Sequence, residues 1–209
     1  MKKNYVSNSE ESIRLFKNGL FDSLSKVHFS IPLYIFIPII GFFCYLALSN
    51  GIGIGNFALF FLGGLLFWTI TEYFLHRFIF HYHPTSEFGK QIHFIFHGVH
   101  HDYPKDKKRL VMPPSASIPL ATAFYFLFSS VLHSSILFTF FAGFLLGYLL
   151  YDMMHYAMHH HNFKNSILKK IKQHHMLHHY QDSTKGYGVS SSLWDIILNS
   201  GFPRQTNKS

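Results

Sequence analysis

The chain has 209 residues, of which 19% are aromatic and only 13% charged, with 25 phenylalanines and a net charge of +8 when histidine is counted as neutral. That length suits one domain, and the composition is too apolar for an ordinary soluble protein but fits a chain that faces lipid. The positive charge forms no basic stripe interleaved with aromatics on a polar scaffold, which argues against nucleic acid as a partner. The single cysteine, Cys44, has no partner for an intramolecular disulfide and stands apart from every histidine group.

Residues 1–30 are a polar lead-in without the features of a cleavable signal peptide. Ser7-Asn8-Ser9-Glu10 reads as a capping box. The weak stripe Ile13, Phe16, Leu20 after it predicts a short helix lying on a membrane surface. Residues 31–209 then form the integral-membrane part. Four runs, Ile31–Leu48, Phe57–Ile70, Ile118–Leu132 and Leu137–Tyr151, are apolar on all sides, as a spanning helix is. The last two are short for a span unless the Ser and Thr residues at their ends are included. The links Asn50–Asn56 and Ser129–Ser135 carry no Lys or Arg, so the runs pair into two helical hairpins. Every Lys and Arg lies before, between or after the hairpins. By the positive-inside rule both termini and the middle segment are cytoplasmic. Sixteen of the 17 histidines fall on that side, His133 being the exception. The predicted fold is an all-α, multi-pass membrane protein: four transmembrane helices in two hairpins, under a cytoplasmic helical cap with a histidine-rich dimetal site.

The histidines form four groups: His76 with His81; His97, His100 and His101; His155 with His159; and His175, His178 and His179. Residues three or four apart share a helix face. His155 and His159 therefore point one way, as do His175, His178 and His179. His76 and His81, five apart, sit about 140° apart on a regular helix. Either they serve different metals or the helix ends between them. Ten imidazoles with almost no carboxylate exceed the four that one structural zinc needs and match two ions with about five ligands each. His28 and His133 are isolated. His83 precedes Pro84, which favours an extended turn. His160 and His161 turn away from His159. His93 shares a face with His97, and His174 adjoins His175 on another face; spacing assigns neither.

Several stretches together resemble one family. They are Glu72-Tyr-Phe-Leu-His-Arg-Phe-Ile-Phe-His81, His93 to His101, Arg109-Leu-Val-Met-Pro-Pro114, Tyr151-Asp-Met-Met-His-Tyr156, and His174 to Asp195 with its Gly186-Tyr-Gly-Val-Ser-Ser run. The chain is similar to the membrane fatty acid hydroxylase and sterol desaturase superfamily over about residues 57–200, and most like its fatty acid 2-hydroxylases. The resemblance implies that His76, His81, His97, His100, His101, His155, His159, His175, His178 and His179 hold two Fe ions, with Zn able to replace them in purified protein. It implies O2 as co-substrate and hydroxylation of a long-chain acyl group, free or lipid-linked, at carbon 2. Some members carry a fused haem domain, for which the polar lead-in has no room. A separate donor, a ferredoxin or a b-type cytochrome with its reductase, is expected.

Metal-bound imidazoles commonly donate their second N–H to a carboxylate. Glu72 and Asp152, acids at the ends of apolar runs, are the main supporting candidates, with Tyr156 beside them; Asp102, Asp195, Tyr103 and Tyr180 are also close to the motifs. The cluster Lys105, Lys107, Lys108 and Arg109 reads first as positive-inside charge and second as a head-group site. Two rival functions are a sterol or carotenoid oxidase of the same superfamily and a membrane metal transporter or store. A transporter needs ionisable residues in mid-span, where this chain is apolar.

Overall fold

The computed structural model describes residues 3–203 and is helical throughout, with no strand among the described residues. The helices are α1 (Gly19–Leu24), α2 (Ile31–Ser49), α3 (Ile54–Phe74), α4 (Glu87–His93), α5 (Val99–Asp102), α6 (Pro114–Ser129), α7 (Ser134–His160), α8 (Ser166–Tyr180) and α9 (Leu193–Ile197). Two of them run on as π-helical turns: α3 into Leu75–Phe80, and α4 through Phe94–Gly98 into α5.

Helix α7 is the axis of the molecule. It packs against α3 and α2 and, less extensively, against α6. Its buried Phe141, Phe144, Leu145 and Tyr148 meet Phe36 of α2, Trp68 of α3 and Phe128 of α6. Two glycines let α3 and α7 come this close. A Cβ on Gly64 would stand 1.9 Å from the Phe140 carbonyl oxygen, and one on Gly143 would stand 1.9 Å from the Phe61 oxygen. Small residues at such crossings are how helices pack in lipid, where water no longer drives association. The outer faces present Tyr34, Ile37, Leu59, Leu62 and Leu66 to the surroundings, as expected of helices solvated by acyl chains.

Among the described residues, three helical segments are long and apolar enough to cross a bilayer: Ile31–Ser49, Ile54–Phe80 and Ser134–His160. The fourth predicted run differs. Helix α6 has 16 residues and contains Pro119. It is about 24 Å long at 1.5 Å per residue, against a hydrocarbon core of about 30 Å. Helix α7 has the opposite property. Its 27 residues extend about 40 Å, more than that core.

The lead-in is not the surface helix that its stripe predicts. Ser7 Oγ accepts from the Ser9 N–H instead of capping a helix. Residues 3–18 contain no helix, and only Gly19–Leu24 is helical, capped by Asn18. The segment is a strap over the histidine-bearing end. Val6 and Ser7 N–H donate to the Asp102 carbonyl, and Val27 N–H donates to that of Lys108.

Candidate metal centre

The ten histidines singled out by spacing converge in two groups of five. His76, His81, His97, His101 and His178 form one, and His100, His155, His159, His175 and His179 form the other. Within each group the candidate ligand nitrogens all lie within 4.8 Å of one another.

The π-helical turn places the first pair. His81 N–H donates to the His76 carbonyl, five residues back, at 3.1 Å. An i→i+5 turn stacks residues five apart on one face, and the two Nε2 atoms are 3.3 Å apart. The pair thus serves one group, because the backbone is wider than the regular helix on which the 140° separation rests. A second π turn carries His97 itself, and His97 and His101, four apart, join the first group with their Nε2 atoms at 3.0 Å.

The motif that runs from the second π turn into α5 and the motif on α8 each feed both groups. His97 and His101 enter one group while His100 enters the other; His175 and His179 enter one while His178 enters the other. The shared-face expectation for His175, His178 and His179 is therefore corrected. An i,i+4 pair subtends about 40° and an i+3 neighbour about 60° on the opposite side. That difference suffices when two nitrogen clusters lie side by side. The rings of His101 and His179, one from each group, stack at 4.2 Å between centroids. His155 and His159 share one group, as their spacing predicts.

Burial sets the protonation state. Loss of water, reinforced by neighbouring imidazoles, holds His97, His100, His101, His175 and His179 well below the ordinary histidine value. Burial also pushes His81 down to about 3 and His178 to about 4. These rings are neutral at pH 7, the form that ligates metal. Several have no protein partner: Nδ1 of His100 and of His175, and both nitrogens of His179, are buried and unpaired. His155 Nε2 lies 2.8 Å from His100 Nε2, and His178 Nε2 lies 2.9 Å from His81 Nε2. Buried imidazole nitrogens left unpaired, or crowded only against one another, are costly unless a cation collects their lone pairs. An all-imidazole donor set suits Fe, Zn, Cu or Ni rather than Mg or Ca. The residues therefore fit one metal ion in each group.

The supporting acids act differently from expectation. Neither Glu72 nor Asp152 hydrogen-bonds a histidine. Glu72 Oε1 accepts from the backbone N–H of Val189 and of Ser190, each at 2.8 Å, and Oε2 accepts from the Ser190 hydroxyl at 2.5 Å. Asp195 Oδ1 accepts from the Tyr187 N–H and Oδ2 from the Gly188 N–H, and His174 Nε2 lies 2.9 Å from the same Oδ2. The loop so fixed turns at Gly186, whose φ of +72° favours glycine. It offers two carbonyls to the first group: His76 Nδ1 donates to Tyr187 O at 2.5 Å, and His178 Nδ1 to Lys185 O at 2.7 Å. Spacing could not reveal these carbonyls; the one signal was the glycine-bearing run itself. Asp152 accepts from the Met112 N–H and the Tyr148 hydroxyl, tying the Arg109–Pro114 stretch to α7. Tyr156 stacks on Phe29 and His160, away from both groups. His93 and His174 also lie outside them.

A mainly apolar cavity of about 310 Å³ reaches the histidines, with Phe80, Met112 and Tyr151 in its walls. His97 of one group and His100 and His155 of the other line it. These features define a helical membrane protein with paired histidine sites able to hold metal beside a cavity for an apolar substrate.

The chain belongs to the fatty acid hydroxylase family, whose model matches residues 61–200. It is 33% identical to a dihydroceramide fatty acyl 2-hydroxylase of Arabidopsis thaliana over 191 residues, covering 91% of this chain and 80% of that protein. It is 36% identical to the fatty acid 2-hydroxylase of Homo sapiens, covering 92% of this chain but 58% of the human protein. A solved structure of full-length Scs7p, in which only the hydroxylase domain is visible, superposes with a TM-score of 0.85 at 34% identity, covering 90% of this chain and 71% of that one.

Proposed function

We propose that the protein hydroxylates a long-chain acyl group at carbon 2, using two metal ions held by the ten histidines. The observation that carries this reading is the junction of an apolar cavity with both five-imidazole groups at His97, His100 and His155. The relatives' names, fatty acid and dihydroceramide fatty acyl 2-hydroxylases, indicate the same carbon. When bound, two Fe ions would supply O2 activation with electrons from a separate donor protein; Zn can occupy the same imidazoles. The protein's own residues align the chain and exclude water. In this reading the histidine-bearing end of α7 projects beyond the hydrocarbon core, to the depth of an acyl head rather than of a mid-chain carbon. No ionisable path runs through the span centres, which disfavours a transporter.

We further propose that residues 31–209 form the membrane hydroxylase domain and that the lead-in rests at the interface. Helices α2–α3 and α6–α7 make two hairpins with α6 the shortest crossing, and both termini and the histidines lie in the cytoplasm. The charge-free turns support this. Tags on the two ends should show the same protease access in inverted vesicles; opposite access would overturn the topology.

The decisive experiment is expression, with a competent reductase, in a host lacking 2-hydroxy lipids, followed by mass spectrometry of hydrolysed acyl chains. The expected product carries a 2-hydroxyl. Mid-chain hydroxyls, new double bonds, or a modified sterol or carotenoid would each overturn the assignment.

A further inference from the structure

The strap reaches the substrate cavity. Its Phe16, Phe21 and Leu24 line the same space as His97, His100 and His155. Phe21 and Leu24 are also 57% and 50% exposed, and Phe96 of the same lining is 55% exposed. Apolar side chains that are both cavity wall and outer surface mark a mouth. In a membrane protein such a mouth opens to lipid rather than water.

A buried ion cluster sets the position of this wall. The Arg109 side chain is 2% exposed and lies against Asp22 at 3.1 Å and Asp106 at 3.6 Å. It also donates to the Ile13 carbonyl and the Ser25 hydroxyl, each at 2.7 Å. Asp22 accepts further from Leu15 N–H and Lys26 Nζ. The Lys26 hydrogen bond comes first among the causes that hold the Asp22 carboxyl well below the usual carboxylate range. The guanidinium thus grips the strap on both sides of Phe16 and Phe21. Although Arg109 lines the cavity, its hydrogen bonds go to Ile13, Ser25 and Asp22 of the strap. It leaves no free cation for a head group.

We infer that the strap is the substrate-selecting wall of the acyl site. Phe16, Phe21 and Leu24 contact the acyl chain as it enters sideways from the bilayer, and Arg109 is the positioning residue that fixes the width of the mouth. This inference rests on the acyl-hydroxylase reading. Shape at an apolar wall discriminates by about tenfold or more for each methylene-sized change. Truncating the wall should therefore admit kinked chains that the native mouth rejects.

The test uses the full chain in lipid nanodiscs. A ceramide analogue with a diazirine midway along its acyl chain is photolysed on metal-free protein and the adducts are mapped. Adducts on Phe16, Phe21 or Leu24 are expected; adducts confined to α2 and α6 would overturn the inference. In a second arm, the metal-loaded enzyme receives an equal mixture of saturated and cis-unsaturated acyl ceramides. Phe21→Ala and Leu24→Ala should raise the unsaturated share of 2-hydroxy product on the order of tenfold, and Arg109→Lys should move it the same way. Phe88→Ala, exposed and outside the cavity, should leave it unchanged. An unchanged ratio in the strap variants would overturn the inference. Adducts on the strap without any 2-hydroxy product from the wild type would instead sink the reaction assignment and leave the strap as the chain-binding wall.

Discussion

The Glu72 carboxylate holds Ser190 by both its backbone N–H and its hydroxyl, across 118 residues of sequence. This contact, with the bond to Val189 N–H, keeps the Lys185 and Tyr187 carbonyls under His178 and His76. Glu72→Ala would strand buried donors at about 1–3 kcal/mol each and release the loop. Loss of such supports typically costs about 10–100-fold in metal affinity. Metal titration monitored by competition with a chelator should show that loss, and Glu72→Gln should lie between the alanine variant and wild type. Unchanged affinity in Glu72→Ala would show that the loop holds itself.

The π turn at Leu75–Phe80 makes a sharper prediction. Inserting one alanine after the exposed Phe78 should put His81 six residues from His76, about 120° away around a regular helix. The first group would lose a member while the second, which takes nothing from this turn, stays whole. Elemental analysis should find about one metal per chain instead of two, and His178→Ala should do the same. Two metals retained in the insertion variant would mean that the turn does not govern the site.

The α3–α7 crossing can be tested without touching the histidines. Gly64→Ala and Gly143→Ala drive a methyl into backbone oxygen, and overpacking of this kind costs about 1–3 kcal/mol. Gly41→Ala, which meets nothing within 4 Å, should be neutral or stabilising by up to about 1 kcal/mol, the propensity gain of alanine over glycine. Thermal unfolding in detergent separates these outcomes. Equal melting temperatures for all three variants would refute the close-packing account.

The depressed histidines give the metal-free protein a pH dependence of defined sign. Folded values of about 3 for His81 and about 4 for His178 lie below the roughly 6.5 of an unfolded histidine. Between those limits the unfolded chain binds more protons than the folded one. Stability should be constant above about pH 7, fall as pH drops through about 6.5, and keep falling towards pH 4. Protonation also competes with metal, so metal release should follow the same direction. Chemical denaturation at a series of pH values checks this; stability that rises on acidification would contradict it.

The sequence by itself determined the helical class, the membrane character and the ten histidines that converge. Each is written in local pattern: uninterrupted apolar runs, and imidazoles at spacings that share a helix face. Only the tertiary structure decided which histidines belong together. The split of His175, His178 and His179, and the pairing of His76 with His81, depend on helix crossing and on one extra residue per turn, and neither leaves a periodic trace. The lead-in misled for a related reason. Its stripe is too short to form a helix alone, and the charges that fix it, Asp22 and Arg109, are 87 residues apart and meet only in the folded chain. Glu72 likewise shows in sequence that a buried acid needs partners, while the fold supplies Val189 and Ser190, because a hydrogen bond selects by distance in space and not along the chain.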